Sequence, residues 1–329
     1  MINYGIVGFG SFAEKTLAPA FLRAKFSKLV ALQKRNRDAA QKIADQWSCR
    51  AYTDPAELVR DPEIQVVFST GVNSTRCAET ILAAEAGKHV LVEKPMAMNA
   101  EECRKMIDAC RTNRVKLMVA HMVRFSPAVR KIKDMIQSGR IGKVATVRCE
   151  FVFPARDSQR SWFFDRTLAG GGPVFDIGVH CIDTLRYVLN DEVETVRSVI
   201  QPEPTELLTE SSSVIAMKFH GSTLANVTVS FVSGIRRTTL EIIGSRGMIT
   251  CFGFSWIMYS PLITLTTAED PDEPVTEEFI VPVGNLYTDE IDDFSRCIMD
   301  DTTPSIPGEE GLKNQLILDT VMKGGGEII

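Results

Sequence analysis

"GIVGFGSFAEK", residues 5–15, is the stretch that decides the architecture. A short apolar run meets Gly8, Gly10 and Ala13 in a G-x-G-x-x-A spacing, and a helical pattern follows. At a strand–turn–helix junction the first glycine makes the tight turn and the second lets the backbone approach a pyrophosphate. A small third residue lets helix and strand pack closely. Phosphates held there face the positive end of the helix. Gly8, Phe9, Gly10, Ser11, Phe12 and Ala13 are therefore expected to form a dinucleotide loop.

Outward from this loop, β-branched runs alternate with helical patterns to about residue 120. "YGIVG" (4–8), "LVAL" (29–32), "QVVFS" (65–69), "HVLVE" (89–93) and "KLMVA" (116–120) are continuous apolar runs. Strands covered on both faces of a parallel sheet read this way. Asn99 stands three residues before Glu102 in a capping-box spacing, and Gly87 sits where a helix would end. The alternation predicts an α/β class domain over residues 1–122, a Rossmann doubly wound parallel sheet.

Beyond about residue 143 the period becomes two. In "ANVTVSF" (225–231), Ala225, Val227, Val229 and Phe231 face one way and Asn226, Thr228 and Ser230 the other. "ATVRCEF" (145–151) and runs at 193–200, 212–219, 238–243 and 247–252 repeat the pattern. Residues 123–329 are thus expected to form an α+β domain on a large open, mainly antiparallel sheet. A late helix near 308–323 is expected to pack back on the first domain.

The end of the second strand bears on the cofactor. An acid there accepts hydrogen bonds from a ribose 2′-hydroxyl and favours NAD, whereas cations suit a 2′-phosphate. The sequence reads "LVALQKRNRDAAQ", with Gln33, Lys34, Arg35 and Arg37 at that turn. NADP(H) is favoured, with NAD(H) as the alternative, and Lys34 and Arg35 are the candidate phosphate ligands.

Composition narrows the partners. The 329 residues are 44% hydrophobic and 24% charged, with a formal net charge of −5 and no basic block. Neither nucleic acid nor a membrane is expected as a partner. The amino terminus lacks a basic segment followed by an apolar one, and the eight cysteines are scattered. A cytoplasmic protein with reduced thiols is the expectation.

The chain resembles the glucose–fructose oxidoreductase, inositol 2-dehydrogenase and rhizopine-catabolism (Gfo/Idh/MocA) family. The resemblance rests on "GFGSFA" (8–13), "AGKHVLVEKP" (86–95), "GRIGKV" (139–144), "GGGPVFDIGVH" (170–180) and "LEIIGSRGMI" (240–249). It implies that Lys94 lies beside the nicotinamide and polarises the reacting oxygen of a sugar-like substrate. Pro95 would be cis, and Glu93 would hold the lysine or the turn. Asp176 and His180, four residues apart, would share one helix face. His180 would exchange the proton while Asp176 positions it or binds a substrate hydroxyl. Gly170 to Gly172 would let that helix start close to the cofactor.

The same resemblance makes Thr70 and Asn73 contacts of the ribose–nicotinamide half, although Gly71-Val72 and Arg76 depart from the family's usual pattern there. His121 and Arg124 fall at the domain junction and are expected to contact substrate. Trp162 and Phe163 are expected to wall the pocket, since aromatic rings stack on a sugar's apolar face. No metal is expected: Asp176 and His180 supply two ligands where zinc takes three or four.

The expected function is an NADP(H)-dependent oxidoreductase. It would move a hydride between nicotinamide and a carbinol or carbonyl carbon of a sugar, polyol or related small compound. A non-catalytic NAD(P)-binding regulator and a redox-assisted glycosidase with tightly bound NAD are the alternatives. A homodimer or homotetramer is expected. The particular substrate and the physiological direction are not legible.

Overall fold

The computed structural model describes residues 1–155, 161–268, 270 and 272–328. The chain divides into two compact units: Met1–His121 with Tyr287–Gln315, and Met122–Leu286 with the residues from Leu316 onward.

In the first unit, β1 (Ile2–Val7), β2 (Ser27–Gln33), β3 (Arg50–Tyr52), β4 (Val66–Ser69), β5 (His89–Glu93) and β6 (Leu117–Ala120) form a parallel sheet in the order β3-β2-β1-β4-β5-β6. Helices α1 (Ala18–Arg23), α2 (Arg37–Trp47), α3 (Pro55–Arg60), α4 (Asn73–Glu85) and α5 (Ala100–Thr112) connect the strands. Five strands coincide with the apolar runs. The three-residue β3 lies at the sheet edge and has no such run to announce it. Strand order reverses between β1 and β4, which puts the ligand crevice of an open α/β sheet at their carboxyl ends.

Local chemistry accounts for the punctuation. Asn99 Oδ1 accepts from Glu102 N–H at 2.9 Å, and Glu102 reaches back to Met98 N–H at 3.0 Å, one residue earlier than a standard capping box. Gly87 follows α4 at φ +72°, the left-handed conformation that ends helices.

The second unit contains α6 (Pro127–Gln137), β7 (Val144–Pro154), α7 (Arg166–Ala169) and α8 (Val179–Leu189). Strands β8 (Val193–Gln201), β9 (Ser212–Phe219), β10 (Leu224–Ser230), β11 (Val232–Gly244), β12 (Gly247–Phe252), β13 (Leu262–Thr267) and β14 (Val275–Ile280) follow, and β15 (Gly325–Glu327) comes from the chain's end. The sheet runs β14-β13-β12-β11-β7-β10-β9-β8-β15. Its pairs are antiparallel except β7 with β10, which is parallel. On β10 the period-two reading holds: Ala225, Val227 and Val229 are buried, and Asn226 is exposed.

Two late helices, α9 (Leu286–Met299) and α10 (Gly308–Val321), complete the fold. From Tyr287, α9 belongs to the first unit. Its Asp292 accepts from the N–H groups of Lys25 and Phe26 at 2.7 and 3.0 Å, and the buried Tyr4 hydroxyl donates to Ile291 O at 3.0 Å. On the first-unit part of α10, a Cβ at Gly311 would lie 2.7 Å from Val119 and 2.8 Å from Met96, so only glycine lets the helix approach. Among the described residues, no helix is long and apolar enough to cross a membrane.

Candidate active site

The glycine loop is held from the neighbouring strand. Gln33 Oε1 accepts from Gly8 N–H at 3.1 Å, and its carbonyl accepts from Phe9 N–H at 2.9 Å. Gln33 Nε2 donates to Thr53 O at 2.8 Å, so both ends of the amide are engaged. Gly8 has φ +74°, and a Cβ there would lie 2.5 Å from the N and Cα of Gly71. Gly10 differs: a Cβ would meet only Gly8 O, at 3.8 Å. Nothing among the described residues demands glycine at position 10, so the space above it fits a group brought close to the backbone, as a pyrophosphate requires.

Ala13 is buried and opens a π-helical turn, Ala13–Leu17, that leads into α1. Such wide turns occur frequently at functional sites. Phe9 is buried, Ser11 is exposed, and Phe12 stands edge-to-face with Tyr287 at 5.7 Å between ring centroids.

At the end of β2, Lys34 Nζ donates to Phe9 O at 3.2 Å. Arg35 and Arg37 are exposed, and Asn36 caps α2 by accepting from Ala39 N–H. The cations thus flank the amino end of a helix, where an anion gains and a cation loses.

Thr70 donates its hydroxyl to Val7 O at 3.0 Å and to Gly8 O at 3.2 Å, so it closes the end of β1. Asn73 is buried at the start of α4. The Lys94–Pro95 peptide is cis. Lys94 N–H donates to Glu93 Oε2 at 3.2 Å; Glu93 is buried and Lys94 half-buried, at the carboxyl end of β5. His121 Nε2 and Asn314 Nδ2 are 3.1 Å apart in the interior of this unit.

Behind Glu93 lies a second carboxyl. Glu290 of α9 is fully buried, and among the described residues neither of its oxygens has a hydrogen-bond partner. Burial pushes it well above the usual carboxylate range, and the nearby charges of Glu93 and Asp293 push it the same way.

In the second unit, Asp176 lies in a π-helical turn, Val174–Gly178, and His180 is in the first turn of α8. The His180 ring stacks on Phe151 at 6.2 Å. The expected single helix therefore opens with a wider turn. Glu210 caps this turn from a distant segment, its Oε1 accepting from Val174 N–H at 3.0 Å.

The glycines before it serve packing within the unit. A Cβ on Gly172 would lie 2.1 Å from Glu210 O, one on Gly171 would lie 2.5 Å from the Phe175 ring, and Gly170 has φ +77°.

The structure gives Arg124 a buried partner. Its Nε and Nη2 donate to the two oxygens of Asp183 at 2.9 and 2.7 Å, and its guanidinium lies 5.3 Å from the Tyr187 ring centre. Phe163 is buried against Phe231, with ring centroids 5.8 Å apart and near-parallel planes, so its ring belongs to the core. Trp162 is half-buried and meets Phe163 edge-on at 4.5 Å. All eight cysteines are free thiols. Among the described residues, no group of three His, Cys, Asp or Glu side chains is arranged to hold a metal.

Comparison with known proteins agrees with this geometry. A profile described as "Oxidoreductase family, NAD-binding Rossmann fold" matches residues 2–121, and the "GFO/IDH/MocA C-terminal domain" matches residues 129–250. The chain belongs to the Gfo/Idh/MocA family.

It is therefore an oxidoreductase with a Rossmann fold of the NAD(P)-binding kind. Among relatives of this Gfo/Idh/MocA chain, the 1,5-anhydro-D-fructose reductase of Ensifer adhaerens is 29% identical over 314 residues, 95% of this chain and 92% of that one. The trans-1,2-dihydrobenzene-1,2-diol dehydrogenase of Danio rerio is 32% identical over 304 residues, 91% of this chain and 88% of that one. A solved levoglucosan dehydrogenase, in complex with NADH and L-sorbose, superposes with a TM-score of 0.89 at 24% identity, covering 100% of this chain and 99% of that one.

Proposed function

We propose that this chain transfers a hydride between NADP(H) and a carbinol or carbonyl carbon of a sugar, polyol or related small compound. The observation that carries the reading is the placement of Lys94 at the carboxyl end of β5, one strand from the β1/β4 reversal where the glycine loop lies. When bound, the nicotinamide supplies or accepts the hydride.

The residues divide the remaining work. Gly8 to Ala13 hold the pyrophosphate, with Thr70, Asn73 and Glu93 bordering the ribose–nicotinamide half. The Lys94 ammonium donates to the reacting oxygen, His180 gives or takes the hydroxyl proton, and Asp176 fixes the imidazole or a substrate hydroxyl. Trp162 and His121 remain candidates for the substrate face, whereas Arg124 and Phe163 are given to architecture. A sugar-like substrate is supported by the activities named for the relatives.

NADP(H) over NAD(H) is supported by Lys34, Arg35 and Arg37 around the amino end of α2. Self-association is supported by the β7–β11 region of the second sheet. On the outward face the Arg148–Glu241 ion pair joins β7 to β11, with the exposed Val214 on β9, Leu224 on β10 and Phe252 on β12 to either side.

The test is oxidation of NADPH and NADH against 1,5-anhydro-D-fructose, other keto-sugars, dicarbonyls and inosose-type ketones, with levoglucosan in the oxidative direction. Lys94→Ala is run in parallel. Turnover that is lost in the variant, with dinucleotide binding kept, is the expected result. Binding of NADPH without any turnover in the parent would instead favour a regulatory role.

A further inference from the structure

The first unit buries a guanidinium beside the lysine turn. Arg76, in the first turn of α4, is 4% exposed. Its Nε donates to Gly71 O at 3.2 Å, and its Nη1 donates to Pro95 O at 2.6 Å. Gly71 is the residue whose backbone would meet a Cβ on Gly8 at 2.5 Å. One planar cation therefore spans from the neighbour of the glycine loop to the residue that follows Lys94.

The rest of the turn is fastened by other groups. Met98 N–H goes to Glu102, Asn99 caps α5, and Met96 packs where Gly311 leaves room. The Pro95 carbonyl is held by Arg76. The donors of a guanidinium are fixed in a rigid fork, so the two carbonyls are kept at a set separation; an ammonium on a flexible stem imposes no such spacing.

We infer that Arg76 is a positioning residue that acts through Lys94, holding the Pro95 carbonyl, and with it the Lys94 backbone, in register with the Gly8–Gly71 crevice. The inference rests on the reading of Lys94 as the catalytic lysine. It predicts an effect on the chemical step and little on dinucleotide capture, because the Gly8 and Phe9 amides are held by Gln33 independently.

The test uses Arg76→Lys and Arg76→Met in the full chain, each with and without Lys94→Ala. Thermal stability, NADPH affinity by fluorescence titration, and kcat and KM with whichever compound is turned over are measured. Hydrogen–deuterium exchange is followed over residues 93–98. Misplacement of a reacting group by an ångström costs up to about 100-fold in rate. We expect kcat to fall by about 10- to 100-fold, with KM and NADPH affinity held, the melting temperature lowered equally with and without Lys94, and exchange over 93–98 raised. In the Lys94→Ala background Arg76→Met should add no further loss of turnover.

An equal loss of turnover in both backgrounds overturns the inference, since Arg76 would then act without Lys94. Losses of stability and NADPH affinity that track kcat also overturn it, by making the role purely structural. If Arg76→Met does not fold, Arg76→Lys, with the charge kept, supplies the same readouts. Full activity in Lys94→Ala refutes the lysine reading and this inference together. An inactive Lys94→Ala beside a fully active Arg76→Met refutes this inference alone. If no compound is turned over, unchanged exchange over 93–98 overturns it and raised exchange confined there supports it.

Discussion

Gly8 and Gly71 meet backbone to backbone: a Cβ on Gly8 would lie 2.5 Å from the N and Cα of Gly71. Gly8 follows β1 directly and Gly71 lies two residues beyond β4, the strands that flank the reversal of strand order. The crevice floor is thus two glycine backbones in contact. Gly10 lines the same loop, and a Cβ there would make only an ordinary contact with Gly8 O at 3.8 Å.

Two substitutions should therefore separate folding from binding. Gly8→Ala meets a left-handed φ, which costs an L-residue about 1–2 kcal/mol, before the clash with Gly71 is added. Its melting temperature should drop by several degrees. Gly10→Ala should melt with the parent and yet bind NADPH and NADH more weakly. Equal melting of both variants would show that the Gly8–Gly71 contact relaxes. Unchanged affinity in Gly10→Ala would show that the dinucleotide does not approach the backbone there.

The basic turn gives a prediction on cofactor choice. Charge-assisted hydrogen bonds contribute about 1.5–3 kcal/mol, and about 1.4 kcal/mol is tenfold in affinity. Lys34→Asp with Arg35→Ala should therefore lower the NADPH-to-NADH ratio of kcat/KM at least about tenfold. Lys34 also donates to Phe9 O, so NADH affinity is measured as the control for loop damage. A ratio that stays put would place the 2′-phosphate elsewhere, with Arg37 the next residue to test.

What the sequence disclosed follows from the range of the forces involved. The glycine loop, the β5 strand with its Glu93-Lys94-Pro95 end and the alternation of β10 are local patterns, set by backbone freedom and by burial of neighbours. Strands β3, β14 and β15 are short or at a sheet edge, and their residues carry no distinctive period. The bracing roles of Gln33, Arg76 and Glu210 were not legible because their partners lie 25, 19 and 36 residues away in the chain. A signal was present for one of them: Arg76 broke the expected pattern of that segment. The glycines at 170–172 were legible as glycines, but which group each one clears is a tertiary fact. Phe163 shows the same limit, since an aromatic ring reads alike whether it faces a sugar or Phe231.

Arg124 and Asp183 form a bidentate pair with side chains 10% and 1% exposed. Removing one partner of a buried pair leaves an uncompensated charge and costs about 3–5 kcal/mol. Arg124→Met should therefore destabilise the protein strongly, and adding Asp183→Leu should restore most of the loss. Denaturant or thermal unfolding of the two single variants and the double variant measures this. A role for Arg124 in substrate contact predicts otherwise: raised KM in Arg124→Met with stability intact.

Glu290 carries a pH dependence whose sign can be worked out. Its folded pKa lies above the ordinary 4.5, chiefly through burial, with Glu93 and Asp293 adding to it. As pH rises past 4.5 the unfolded chain releases this proton while the folded chain keeps it. The folded state then binds more protons than the unfolded one, so stability falls with rising pH across the window up to the raised pKa. Below that window both states are protonated and the penalty vanishes. Glu290→Gln, similar in shape and without a titrating proton, removes the dependence. The melting temperature of the variant minus that of the parent should therefore increase as pH rises from about 5, and level off once the raised folded pKa is passed. Any fixed cost of burying the amide shifts the whole curve and leaves its slope. A difference that stays flat across that range would mean that Glu290 ionises in the folded protein at its ordinary value. A partner for its carboxylate would then have to be sought around Glu93.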